Sequence, residues 1–177
     1  MLSFIQKLFI HDLLVELSKE KMTVQSLSDA NNSIYEDAPW IAIKAQNNKE
    51  TIVGVGIKAK SMAGANIKVV NPFDHSRSFV ASFNYAEKIL QYSIHTFCKS
   101  RFLRPSPKIV MHQLEKTEGG LTDIEERVLI ELAKASGAVE VLVYTGSRIN
   151  PKIDSFKSIK ARLNDSANTK HQLKFDL

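Results

Sequence analysis

Apolar and polar positions divide the chain into short strand-like runs, polar turns and a few helix-period stretches. His11 to Leu17 and Met22 to Leu27 are apolar-rich runs joined by the charged turn Ser18 to Lys21, the pattern of a hairpin. Ile34 to Lys44 predicts a third strand, and Pro39 near its middle marks an edge or a bulge because proline cannot donate to a ladder. After the turn Gln46-Asn47-Asn48-Lys49 the pattern predicts a strand over Thr51 to Gly56. A short helix, Ile57 to Met62, closed by Gly64, and a strand over Ile67 to Val70 follow. Asn71 to Ser78 reads as a loop and Phe79 to Phe83 as extended. Asn84 then caps a helix reaching about Ser100, with Ala86, Ile89, Leu90, Ile94 and Phe97 on its apolar side. That spacing leaves His95 outside and sets Cys98, the only cysteine, at the edge of the apolar face as a packed, reduced thiol.

The clearest unit runs from Arg104 to Tyr144 as strand, helix, strand. Pro105 and Pro107 hold the entry extended, and Lys108-Ile109-Val110-Met111 is a β-branched run of buried-strand length. Thr122 reads as an N-cap with Glu125 completing a capping box, and Gly137 ends the helix. Leu121, Ile124, Val128, Leu132 and Ala135 form the stripe expected to face a sheet. Val139 to Tyr144 is the second strand, parallel to the first through a right-handed crossover. Ile130 falls on the opposite side, among charged residues, so Glu126, Ile130 and Lys134 are candidates for a partner contact.

The ends differ from this body. Met1, Leu2, Phe4, Ile5, Leu8 and Phe9 share one broad arc of a helix opposite Ser3, Gln6 and Lys7, so residues 1–10 form an amphipathic segment suited to a membrane interface or to packing on its own domain or on a partner. After residue 146, Asn150-Pro151 starts a short basic helix whose stripe is Ile149, Ile153, Phe156, Ile159 and Leu163. It is expected to dock on an exposed sheet or helix face, with a partner as the alternative. Asp165 to Lys170 reads as disordered, and Leu173, Phe175 and Leu177 alternate as an added strand would.

Composition narrows the class. The 177 residues, 44% of them hydrophobic, suit one domain over residues 1–146 with a basic helix and tail over 147–177. No apolar run approaches the ~20 residues that cross a bilayer, and no cleavable leader opens the sequence, so a cytoplasmic protein is expected. The net charge is +5, and residues 147–177 hold seven basic side chains against three acidic ones. The remainder is nearly neutral, which argues against a nucleic-acid-binding core.

Candidate chemistry is sparse. Asp74 and His75 read as a solvated loop pair, and His112 as packed or hydrogen-bonded, since no Ser, Cys or carboxylate is tied to it by a motif. A two-metal nuclease would need Asp12 or Glu16 joined by a second carboxylate beyond the Lys108 to Gln113 strand, where Glu115 is the one candidate. No catalytic, cofactor or metal residue is therefore assigned.

Arg101-Phe102-Leu103-Arg104-Pro105-Ser106-Pro107-Lys108, then Ile124-Glu125-Glu126-Arg127, Gly137-Ala138 and Glu140-Val141 resemble, in order and spacing, the bacterial actin MreB family. The resemblance runs from Met1 to about Tyr144 and covers the first half of that family's nucleotide-side lobe. It implies an α/β domain of actin-like, ribonuclease H-like type: a βββαβαβ mixed sheet flanked by helices, with a small subdomain inserted. It also implies a first phosphate loop, in which an aspartate precedes Leu-Gly-Thr and a small polar residue. Here Glu16, Leu17, Ser18, Lys19, Glu20 and Lys21 stand there, filling with long side chains the space phosphates need. After Tyr144 the family's Glu-Glu-Pro is replaced by Thr145, Gly146 and Ser147, and the second lobe has no counterpart. The expectation is a pseudo-ATPase: a non-enzymatic module, without cofactor, that contacts an MreB-type filament, membrane-associated machinery or a second copy of itself.

Overall fold

The computed structural model describes residues 12–27, 33–46, 49–98 and 107–173, with side chains to residue 165. The amphipathic segment 1–10 lies outside the described residues, as do Phe175 and Leu177.

The larger sheet has the order β3 (Ile34–Asp37), β2 (Met22–Ser26), β1 (Asp12–Leu17), β7 (Lys108–Gln113), β8 (Glu140–Tyr144), and the smaller one the order β5 (Lys49–Val55), β4 (Ile41–Gln46), β6 (Ile67–Val70). β1 (Asp12–Leu17) and β2 (Met22–Ser26) form the expected hairpin, and β3 (Ile34–Asp37) continues it antiparallel at the edge. The small sheet is built from β4 (Ile41–Gln46), β5 (Lys49–Val55) and β6 (Ile67–Val70), with a 3-10 turn at Ile57–Ser61. Helix α1 (Phe83–Phe97) then leads back to β7 (Lys108–Gln113), which lies parallel to β1. Helix α2 (Asp123–Ala135) crosses to β8 (Glu140–Tyr144), parallel to β7, and helix α3 (Phe156–Leu173) closes the described chain. The expected βββαβαβ order is thus present, with the small sheet inserted after β3.

Alternation along the central strands explains the two packed faces. Leu13, Val15, Leu17, Ile109 and Met111 point to one side, where Ala86, Ile89, Leu90 and Ile94 of α1 and Leu129, Leu132 and Ala133 of α2 cover them. Leu14 and Val110 point to the other, against Leu27, Tyr144, Ile149, Phe156 and Ile159. A strand buried on both faces reads as a continuous apolar run, as β1 and β7 do. The docking of the C-terminal helix on the sheet agrees with its apolar stripe. Ion pairs fix its start: Glu140 receives Lys108 at 2.7 Å and Lys160 at 2.6 Å.

Several expectations need correction. Ile34 to Lys44 is two strands in different sheets, not one. Pro39 supplies no N–H, and the Asp37 carboxylate captures the N–H groups of Ala38 (2.8 Å) and Ile57 (2.7 Å), turning the chain out of the large sheet. Gly56 takes φ +86° where that carboxylate lies against its backbone, a place with no room for a Cβ. Phe79 to Phe83 is not a strand; Phe79 stacks on Phe73 at 5.1 Å in the core, and Ser82, not Asn84, is the N-cap position.

The capping box of α2 is present, Thr122 Oγ1 accepting from Glu125 N and the Glu125 carboxylate from Thr122 N, and Gly137 follows at φ +97°. Its buried stripe is rotated from the expected one. Leu129, Leu132 and Ala133 are buried while Ile124 is 76% exposed and Ala135 is exposed, because α2 wedges against α1 as well as β8. Ile130 is half-buried and belongs to neither core cluster, while Glu126 and Lys134 are exposed. Ile153 sits in a turn ahead of α3 and is 80% exposed, outside the stripe assigned to it. Residues 165–170 are helical, not disordered; Phe156 and Ile159 anchor the first turns, after which each added residue extends a helix already nucleated.

Candidate functional site: the cleft beyond the parallel strands

β1, β7 and β8 run in the same direction and end side by side at Leu17, Gln113 and Tyr144. In open α/β sheets the crevice beyond such carboxyl ends is where ligands sit. Here it is a cleft of about 320 Å³ lined by Lys21, His112, Gln113, Leu114, Thr117, Thr145, Gly146 and Arg148.

Its inner wall comes from the strand register. Glu16 on β1 is the parallel partner of His112 on β7, and His112 in turn of Tyr144 on β8. Both titratable groups are buried, with Glu16 Oε1 and His112 Nδ1 3.4 Å apart. Among the described residues neither of these two atoms has a partner in hydrogen-bond geometry. The other Glu16 oxygen accepts from Thr23 Oγ1 at 3.2 Å, and His112 Nε2 lies 3.3 Å from the Gly146 carbonyl. Tyr144 meets the imidazole edge-on at 5.0 Å. The His112 contact holds the Glu16 carboxyl below its ordinary range against the opposing pull of burial, with Thr23 and Arg148 adding to it.

The turn between β1 and β2 forms the rim. Its backbone is closed on itself: Ser18 N–H donates to the Lys21 carbonyl at 2.9 Å, and Lys21 N–H to Ser18 Oγ at 3.0 Å. Lys19 N–H donates to the Glu115 carboxylate at 3.2 Å. Asn71 Nδ2 donates to the Lys19 carbonyl at 2.7 Å, and Lys19 Nζ pairs with Asp74 at 2.9 Å. Lys21 Nζ pairs with Glu36 at 3.2 Å. Glu115 is set in place by Gln113, whose amide donates to the Glu115 carbonyl at 2.7 Å. Lys116 follows at φ +54°, its ammonium on the His75 and Ser78 carbonyls.

Lys21, His112 and Arg148 thus line the cleft, while Glu16 is held against His112 and Thr23, and Lys19 and Glu115 meet at the turn. Asp74 and His75 are exposed in their loop as expected; Asp74 also pairs with Lys19, and the His75 ring accepts from the N–H groups of Arg77 and Ser78 at 3.2 and 3.3 Å. Asp12 lies at the far end of β1 from Glu16, and the Glu115 carboxylate is turned to Lys19, so these acids do not converge. Among the described residues no group of three or more His, Cys, Asp or Glu side chains is placed to hold a metal ion. The Glu16–His112 contact escaped sequence reasoning, although both strands were recognised; aligning them as parallel neighbours is the signal that finds it. Glu126 and Lys134 lie on α2, with Glu131 3.6 Å from Lys134.

Comparison with known proteins places this geometry. The profile of the family described as MreB/Mbl protein matches residues 13–149. The cell shape-determining protein MreB of Pasteurella multocida is 29% identical over 142 residues, covering 77% of this chain and 38% of that protein. The Escherichia coli K12 protein of the same name is 26% identical over 148 residues, covering 81% and 40%. The chain thus spans about two fifths of the length of these relatives. Among solved structures, MreB5 of Spiroplasma citri bound to ADP superposes with a TM-score of 0.57 at 16% identity, covering 76% of this chain and 38% of that one. The MamK double helical filament gives 0.53 at 14%, covering 77% and 41%. These likenesses establish the actin-like fold.

Proposed function

The chain belongs to the MreB/Mbl family, and on that premise we propose that it is a non-enzymatic interaction module of the cell-shape machinery that neither binds nor splits ATP. The observation that carries this reading is the Lys19 N–H donating to the Glu115 carboxylate. A phosphate loop works by offering bare N–H groups to an anion. In this turn the N–H groups of Ser18, Lys19 and Lys21 are already engaged, one of them by a carboxylate that repels phosphate. The replacement of Glu-Glu-Pro by Thr145, Gly146 and Ser147 supports the same reading.

The relatives' names and the sequence support a proposed partner and location. The matched proteins are named for cell shape, and MamK forms a double helical filament. A filament of a cell-shape MreB is therefore the proposed partner, met through the α2 face that carries Glu126, Ile130 and Lys134. Met1, Leu2, Phe4, Ile5, Leu8 and Phe9 supply a peripheral contact to the inner face of the cytoplasmic membrane. Among the described residues no helix is long and apolar enough to cross a membrane. Co-sedimentation with assembled filaments of a full-length cell-shape MreB tests the partner. The chain should pellet with filaments and stay in solution without them, and Glu126→Lys with Lys134→Glu should weaken the pelleting. Equal amounts in the supernatant with and without filaments would overturn the reading.

A further inference from the structure

We infer that this chain pairs with a second copy of itself as a closed two-fold dimer, the basic small sheet of each copy seated on the acidic first turn of α2 of the other. Charge is segregated by fold element. Residues 41–70, the small sheet and its 3-10 turn, hold five lysines and one acid, Glu50. Lys44, Lys49, Lys58, Lys60 and Lys68 are all exposed, and Glu50 is taken by the Tyr85 hydroxyl at 3.0 Å. Residues 115–131 hold six acids and two bases. Lys44, opposite Thr51, and Lys49, opposite Gln46, share one face of the small sheet, and Ile124 is 76% exposed on α2. Among the described residues Lys44, Lys49, Asp123 and Glu126 make no ion pair.

Single exposed apolar side chains are ordinary, and lysines commonly guard an edge strand. The placement of the two patches adds what those readings lack. β3 reaches its end at Asp37, paired with Met22 beside the β1–β2 turn, and the small sheet grows from there, above one edge of the large sheet. Helix α2 begins after the carboxyl end of β7 and packs against β8, the opposite edge. Both patches therefore lie at the same end of the domain but on opposite sides. A two-fold axis perpendicular to the sheet, just beyond the strand ends, carries each patch onto its complement in the other copy. The contact occurs twice and closes, as an isologous interface must. It rests on a surface that shares Glu126 with the proposed filament contact, but its test contains no filament, so one reading can fail without the other.

Sedimentation velocity on the full chain is the test, with melting temperature as the control for folding. The wild type should dimerise at low salt and dissociate as salt screens the pairing. Lys44→Glu with Lys49→Glu should raise the dimer dissociation constant roughly tenfold or more, as should Asp123→Lys with Glu126→Lys. All four changes in one chain, or an equal mixture of the two double variants, should restore the dimer. A monomer at every concentration at low salt, open-ended oligomers, a dimer indifferent to either reversal, or double variants that weaken it without mutual rescue would each overturn the proposal.

Discussion

Truncating Ile159 to alanine tests whether α3 is an integral layer of the domain. Ile159 is fully buried in a cluster with Leu14, Leu27, Val110, Tyr144, Ile149 and Phe156, so its removal leaves a cavity between helix and sheet. Buried Ile→Ala changes cost ~2–5 kcal/mol through lost transfer energy and the residual void. A central cost of ~3 kcal/mol, at ~2–4 °C per kcal/mol for a chain of this size, lowers the melting temperature by roughly 6–12 °C. Ile153→Ala is the internal control. Its side chain is 80% exposed, and such surface changes stay within about 0.5 kcal/mol. Urea denaturation followed by circular dichroism reads both variants. If Ile159→Ala were as mild as Ile153→Ala, α3 would not be docked, and the second face of the sheet would have to be covered by something else.

Acid denaturation should report the buried pair. The folded Glu16 carboxyl titrates below its ordinary value of ~4.3, so its stabilisation is complete above that value and is lost as pH falls through the lowered one. Glu16→Gln should flatten this acid limb, and an unchanged profile would show that the His112 contact does not hold the carboxylate. At the membrane, the full chain should float with anionic liposomes through the apolar burial of its first residues and the attraction of its basic ones. Equal flotation after changing both Phe4 and Phe9 to Asp would remove that segment from the account.

The large sheet was legible because its signals are local. Alternation, capping residues and the right-handed crossover rule place β1, β2, α2, β7 and β8 without any tertiary information. Where contacts between distant elements decide, the same reasoning failed. The rotation of the α2 stripe depends on α1 lying beside it, and the split at Pro39 depends on Asp37 reaching Ile57 N–H, 20 residues away. The candidate site shows the same division. The turn Ser18 to Lys21 was recognisable as poor in the features a phosphate needs, but the Glu115 carboxylate that occupies it lies 96 residues from Lys19. Likewise the Glu16–His112 contact exists only in the register of two strands far apart in sequence.

The central claim, that the turn after β1 no longer accepts phosphate, is tested most directly by calorimetric melting of the full chain in millimolar Mg-ATP. A ligand that binds only the folded state at ~100 times its dissociation constant would add ~2.7 kcal/mol and raise the melting temperature by several degrees. The account predicts no shift, with Glu115→Gln alone also producing none. A rise that grows with the logarithm of nucleotide concentration, and disappears in Glu16→Ala, would contradict it.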